Sequence, residues 1–232
     1  MPLIDEITRL RDETLSSLDT IHNYYFHTKS AWRIVQQVVR KGNKFTIRNR
    51  ATGSIVDETE LSGLAQAYVT GLLASATFQH FVSVLERFVS DFLSLWLTEY
   101  PNSLSGKELK FKTVLDATDK NKIVATVVEK ELLELAYQRI SDWFLYLEKI
   151  AQLGCPISDQ IERLTEIKAS RDVLVHNNGI VNSVYVGKSM GRARFVDGDK
   201  LVLPEDYHRD SWELIKQVVK DVSNAAIKKL EK

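Results

Sequence analysis

The stretch Arg171-Asp172-Val173-Leu174-Val175-His176-Asn177-Asn178-Gly179 carries the side chains in this sequence best suited to chemistry. Arginine offers a planar fork of donors that matches a phosphate. Histidine is the side chain that moves a proton most readily near neutral pH. If a helix runs through Arg171 to His176, Asp172 and His176 form an i, i+4 pair on one face, where the carboxylate accepts from the imidazole N–H and fixes its tautomer. Asn177-Asn178-Gly179 is a good helix stop, which sets His176 beside the unpaired carbonyls of the last turn. Five residues at ~100° each put Arg171 roughly 140° around the helix from His176. One chain alone therefore holds the two poorly for shared work on one small group. The same helix end from a second copy, across a two-fold axis, would bring two arginines and two histidines together. An arginine and a histidine at a shared cleft suit cleavage of a phosphodiester by an adjacent 2′-hydroxyl, with no metal. The same residues also have an ordinary structural explanation. A histidine at a helix end and an arginine paired with a nearby acid both stabilise folds, and spacing leaves the two readings open.

Other chemistries find little support. No GxxxxGKS or GxGxxG loop is present, and Gly187-Lys188-Ser189 lacks the upstream glycine and the helix that a phosphate loop needs. There is no HExxH, and His22 and His27, five apart, do not share a helix face as a zinc pair would. His80 sits among apolar neighbours and reads as a satisfied core histidine, and His208 as flanking the start of the last helix. No serine occupies a GxSxG elbow. Cys155 is the single cysteine, which leaves no intrachain disulfide or thiolate cluster and fits a reducing cytosol. Neither a cofactor nor a metal is expected. The 31 basic and 31 acidic residues cancel, so whole-chain charge does not support a general nucleic-acid coat. Locally, Lys188, Arg192 and Arg194, with Met190 and Phe195 among them, either guide an RNA backbone or form a solvated hairpin face.

The elements that must position these residues read as helices. Only four prolines and ten glycines occur in 232 residues, a length that buries a sizeable core. Helix-spaced apolar residues predict helices over about 4–39, 61–99, 122–153, 158–176 and from about 209 onward. Residues 61–85 contain no Asp, Glu, Lys or Arg, long enough to suggest a membrane span. Gln66, Gln79 and His80 interrupt them and Glu86-Arg87 follow, so a buried central helix is expected and no membrane. The N-terminus lacks the basic-then-apolar order of a signal peptide. Residues 44–57 read as a surface connection, with a short hairpin as the alternative. Residues 181–203 alternate around Asp197-Gly198, which predicts a small β-hairpin-like insertion before the last helix. The expected fold is all-α: an antiparallel bundle of about five helices forming one domain over 1–232.

Arg171-Asp172-x-x-x-His176 followed by Asn-x-Gly-Ile-Val-Asn resembles the signature of the HEPN (higher eukaryotes and prokaryotes nucleotide-binding) superfamily. The segment LERFVSDFL around Glu86 resembles the matching early helix. The likeness covers about 60–230, with the helix over 4–39 packed on that core. It implies a helical bundle, a homodimer and a metal-independent ribonuclease site built from both copies, often in toxin–antitoxin or antiviral defence systems. By resemblance His176 is the general acid–base and Arg171 the phosphate holder. Asp172 orients the pair, and Asn177 contacts phosphate or ribose. Asp172 stands where many active members carry a neutral polar residue, and an acid there weakens phosphate binding. The resemblance also admits non-catalytic members that bind RNA, a nucleotide or a partner protein, so it implies either a cytoplasmic RNA-cleaving toxin with an antitoxin protein as partner or a binding module. A purely structural interaction module is the third reading, and would bury the motif with no opening.

Overall fold

The computed structural model describes residues 2–41, 47–104, 106, 108–109, 114–115 and 117–232. The fold is all-α. Helix α1 (Leu3–Arg40) buries Ile7, Thr14, Leu18, Ile21 and Tyr25 along one stripe, the 3.6-residue repeat that its sequence carries. Helix α2 (Glu58–Gln66) starts where the Asp57 side chain accepts from the Glu60 N–H at 2.8 Å, satisfying one of the donors a helix start leaves unpaired. It continues without a break through a π-helical turn, Ala67–Leu73, into α3 (Ala74–Glu99), which ends one residue short of Pro101. Helix α3 is the centre of the molecule. Phe78, Phe81, Phe88 and Phe92 are fully buried in one apolar core shared with α1 and with the helices Ile140–Ala151, Ser158–His176 and Glu205–Leu230.

The expected buried central helix is therefore present from Ala74 onward, but not over the whole charge-free run. Between 58 and 73 only Leu61, Ala65 and Val69 are buried, while Leu72 is 67% exposed. This segment packs against α1 on one side, with Trp32 and Tyr68 meeting edge to face. By length and composition the helix over Glu58–Glu99 could cross a membrane, but 44% of its most apolar window is packed inside the molecule. The two-helix arm has a one-sided core, so its opening costs less than unfolding of the bundle. Amide hydrogen exchange is expected to be faster over 58–70 than over 78–97, and equal protection of the two segments would contradict this.

The helix expected over 122–153 is two helices, α4 (Lys120–Ala136) and α5 (Ile140–Ala151), with a corner at Tyr137-Gln138-Arg139. The corner is pinned from inside: the Trp143 indole N–H donates to the Leu135 carbonyl at 2.5 Å, and the Asp142 carboxylate accepts from the Arg139 N–H at 3.2 Å. After α5, Gln152 and Gly154 take left-handed backbone, and the Glu148 carboxylate accepts from the Leu153 and Gly154 N–H groups. The Cys155–Pro156 peptide is cis.

Helix α6 (Ser158–His176) follows, and the Gln160 side chain accepts from the Ile157 N–H at its start. The hairpin expected over 181–203 does not form. Asn182 caps a short helix, α7 (Ser183–Lys188), by accepting from the Tyr185 N–H at 3.0 Å, and only the single bridge Ile180–Lys200 is β-like. The alternating valines there are spent differently: Val181 and Tyr185 bury against Ala169 and Val173 of α6, while Val184 and Val186 face solvent. In 44–57 the described part holds one bridge, Arg48–Ile55, around a turn capped by Asn49; 42–46 lie outside the described residues. Helix α8 (Glu205–Leu230) begins four residues earlier than its apolar stripe suggests, directly after Pro204.

Candidate functional site

Helix α6 stops as its sequence suggests. The N–H groups of Asn177 and Gly179 both donate to the Val173 carbonyl, at 3.0 and 3.1 Å. Asn178 (φ 50°) and Gly179 (φ 76°) are left-handed, a conformation Asn tolerates and Gly adopts freely. The Asn177 side-chain amide donates to the Ile180 carbonyl, so its nitrogen belongs to the turn and its oxygen faces away from that bond. This stop places His176 at the last position of the helix, exposed.

One turn back, α6 presents Lys168, Arg171 and Asp172 to Glu86 on α3. The Arg171 guanidinium lies 3.2 Å from Glu86 Oε2 and 3.0 Å from Asp172 Oδ1. The Lys168 ammonium lies 2.9 Å from Glu86 Oε1 and 3.4 Å from Asp172 Oδ1. Two cations and two carboxylates thus close a formally neutral, half-buried ring. The expected Asp172–His176 pairing is not formed, because Asp172 is drawn to the two cations. Among the described residues His176 makes no hydrogen bond or ion pair.

Three concavities meet on this face. One, of about 280 Å³, is bordered by Asp172, His176, Asn177, Asn182, Val184 and Lys188. A second, of about 510 Å³, runs from Lys188 and Asp172 to the α4–α5 corner. The third is an apolar slot of about 320 Å³ between Leu93, Leu132 and Trp143, with Glu86, Lys168 and Arg171 at its edge. Arg171 and His176 therefore border different hollows, with Asp172 between them.

The three cations of the insertion separate. Lys188 is exposed on the wall shared by the first two hollows, and among the described residues it has no ion pair. Arg192 instead bridges Asp159 at 2.7 Å and Glu162 at 3.0 Å near the start of α6. Arg194 is turned inward, to Glu166 at 3.1 Å, with its guanidinium carbon 3.3 Å from the centre of the Tyr207 ring. Two of the three expected substrate cations are thus fastening the insertion to α6 and α8.

Glu166 is 4% exposed and collects that whole contact. Its Oε1 accepts from Ser170, the Tyr185 hydroxyl and Arg194, and its Oε2 from the Tyr207 hydroxyl at 2.6 Å. Burial, then the Glu166 charge, pushes the Tyr207 phenol up; burial chiefly does the same at Tyr185. Both hydroxyls remain donors. Cys155 is no nucleophile candidate: burial, followed by Asp221 and Glu148, raises its thiol to about 11. Among the described residues no three His, Cys, Asp or Glu side chains are gathered as a metal-ligand set.

In comparisons with known proteins, no family model, no curated protein and no solved structure matches this chain. Sequence reasoning missed three members of the site's surroundings: Glu86, Lys168 and Glu166. Glu86 had a faint signal, as the first acid after a long charge-free run. Lys168 lies one turn before Asp172 on the same face. Glu166 gave none, since a glutamate between Thr165 and Ile167 reads as a solvated position.

Proposed function

We propose that this chain is a HEPN-type endoribonuclease that cleaves RNA without a metal, by attack of a 2′-hydroxyl on the adjacent phosphate. The observation that carries the proposal is the end of α6, where an exposed His176 borders a hollow also lined by Lys188, both without an ion pair among the described residues. In this reading His176 is the general acid–base, and Arg171 holds the phosphate and stabilises its developing charge. Asp172 fixes the guanidinium, and Asn177 offers its side-chain oxygen to the ribose. Because Arg171 and His176 border different hollows of one copy, a second copy completes the site, and the active species is a homodimer. A cytoplasmic toxin–antitoxin or defence role, with an antitoxin protein as partner, follows from the resemblance alone.

One observation favours a second reading, a non-catalytic module that binds RNA, a nucleotide or a partner protein. Arg171 already faces two carboxylates, and a phosphate must displace them to reach it.

The test uses purified protein with chelator and mixed single-stranded RNAs, beside His176→Ala. Wild type is expected to leave 2′,3′-cyclic phosphate ends, and the variant to lose at least about a hundredfold in rate, the usual weight of a general acid–base. Equal cleavage by both proteins would remove His176 from the chemistry. Cleavage by neither would favour the binding module, and a strictly monomeric molar mass would count against the composite site.

A further inference from the structure

We infer that the α4–α5 corner is a binding platform for single-stranded RNA: a base stacks on Tyr137 while the backbone passes between Arg139 and Lys188. This deepens the proposed function by naming how substrate reaches the end of α6, and it rests on that reading for the identity of the ligand.

Tyr137 is the most exposed large apolar side chain of the described residues, at 85%. No ring contact occupies it among the described residues, so an aromatic face stands open to solvent where burial would be the cheaper arrangement. The corner that carries it is rigid, held by Trp143 on Leu135 and by Asp142 on Arg139. Tyr137, Arg139 and Lys188 all line the hollow of about 510 Å³. Arg139 and Lys188 are exposed and, among the described residues, free of ion pairs. The same hollow also contains Lys168, Asp142 and Asp172. Lys168 is held by Glu86 and Asp172, so among the described lining residues the two cations left for a ligand are Arg139 and Lys188.

An open aromatic face flanked by unpaired cations is the arrangement that binds single strands, because every base has a π-face and every nucleotide a phosphate. A duplex hides its bases in the stack and cannot use the ring. The hollow shares Asp172 and Lys188 with the one bordered by His176, so a strand stacked at Tyr137 runs on toward the imidazole.

The experiment measures binding apart from cleavage. A fluorescein-labelled 12-nucleotide single-stranded RNA and its duplex are titrated with His176→Ala protein at several salt concentrations, following anisotropy. Tyr137→Ala, Tyr137→Phe, Arg139→Gln and Lys188→Gln are added to that background. Because the three positions are exposed, folding is expected to be retained, and circular dichroism checks it. Tyr137→Ala is expected to weaken single-strand binding about tenfold and Tyr137→Phe to leave it within about twofold. Each cation variant is expected to reduce the slope of log K against log salt by about 0.7. Duplex affinity that equals single-strand affinity, or Tyr137→Ala binding within twofold of its parent, overturns the platform; so does the absence of binding. Tyr137-dependent binding by a protein that cleaves nothing keeps the platform and removes the nuclease. Cleavage by a protein whose binding ignores Tyr137 does the reverse.

Discussion

Glu166→Ala is expected to lower the free energy of unfolding by about 3–5 kcal/mol, the cost of breaking a buried ion pair from one side. The loss has two parts. Arg194 keeps a largely buried positive charge without its carboxylate, and Ser170, Tyr185 and Tyr207 each lose the acceptor of a hydroxyl hydrogen bond. Typical domains have only about 5–15 kcal/mol in total, so the variant stands near the edge of folding. Glu166→Gln retains an acceptor and should fall between the two. The pair is not irreplaceable: Glu166→Leu with Arg194→Met removes both charges together and is expected to recover much of the loss. Urea unfolding checks this through the midpoint, at unchanged slope. A midpoint for Glu166→Ala equal to that of the wild type would show that solvent reaches the carboxylate freely. Glu166 shares the fastening of the insertion over 183–195 with the Arg192 ion pairs and the apolar cluster of Val181 and Tyr185 on α6, and Lys188 is carried on that insertion.

The second large effect is expected from acid. His208, 0% exposed, donates to or accepts from Thr77 at 2.8 Å through Nε2, while among the described residues its Nδ1 has no partner. Tyr25 stacks on it at 4.1 Å, and His22 lies 6.4 Å away, itself stacked on Trp212. Burial first, and then the His22 and Lys29 charges against an opposing Glu205, lower its pKa from 6.5 to about 4. His22 is lowered as well, by burial and by Lys216 and Arg209, with Asp19 and Glu213 opposing. The unfolded chain therefore takes up the proton before the folded one does. Stability from this group is complete above about pH 6.5, falls as pH drops toward about 4, and levels off below that, for a total of about 3 kcal/mol at His208. Urea midpoints at pH 7, 6, 5 and 4.5 should decline across that window, and His208→Gln should flatten the decline. An identical decline in the variant would assign it to other groups.

Much of the helical frame was legible because its signals are local. The stripe Ile7 to Ile21 on α1, the apolar run of α3 and the stop at Asn177-Asn178-Gly179 each follow from spacing or from backbone preference at single residues. What was misread depends on partners far along the chain. The corner at Tyr137 has neither Gly nor Pro, and it is set by Trp143 reaching back to Leu135. The alternation over 181–203 suits a strand, but Asn182 caps a turn of helix and Tyr185 finds Glu166 instead of a strand partner. His80, in an apolar sequence neighbourhood, points to solvent, while His208, beside charged residues, is the core histidine; helix phase, not neighbourhood, decides. For the site, the grouping of Arg171, Asp172 and His176 at one helix end was readable. That Glu86 would share Arg171 with Asp172 was not, since it comes from α3, 85 residues earlier.

The arm formed by the far half of α1 with α2 and the π-helical turn extends about 24 Å along its axis, at 1.5 Å for each of the residues from 58 to 73. Its α1 half is tied to α8 by the Lys29–Glu205 ion pair and by Tyr25 stacked on His208, while residues 58–73 pack on α1. Such a geometry makes the tip of the arm modular without a linker: among the described residues Tyr68 meets Trp32 and shares no side-chain partner with the end of α6. Sequence can drift at one without disturbing the other, so the two surfaces are free to evolve at separate rates.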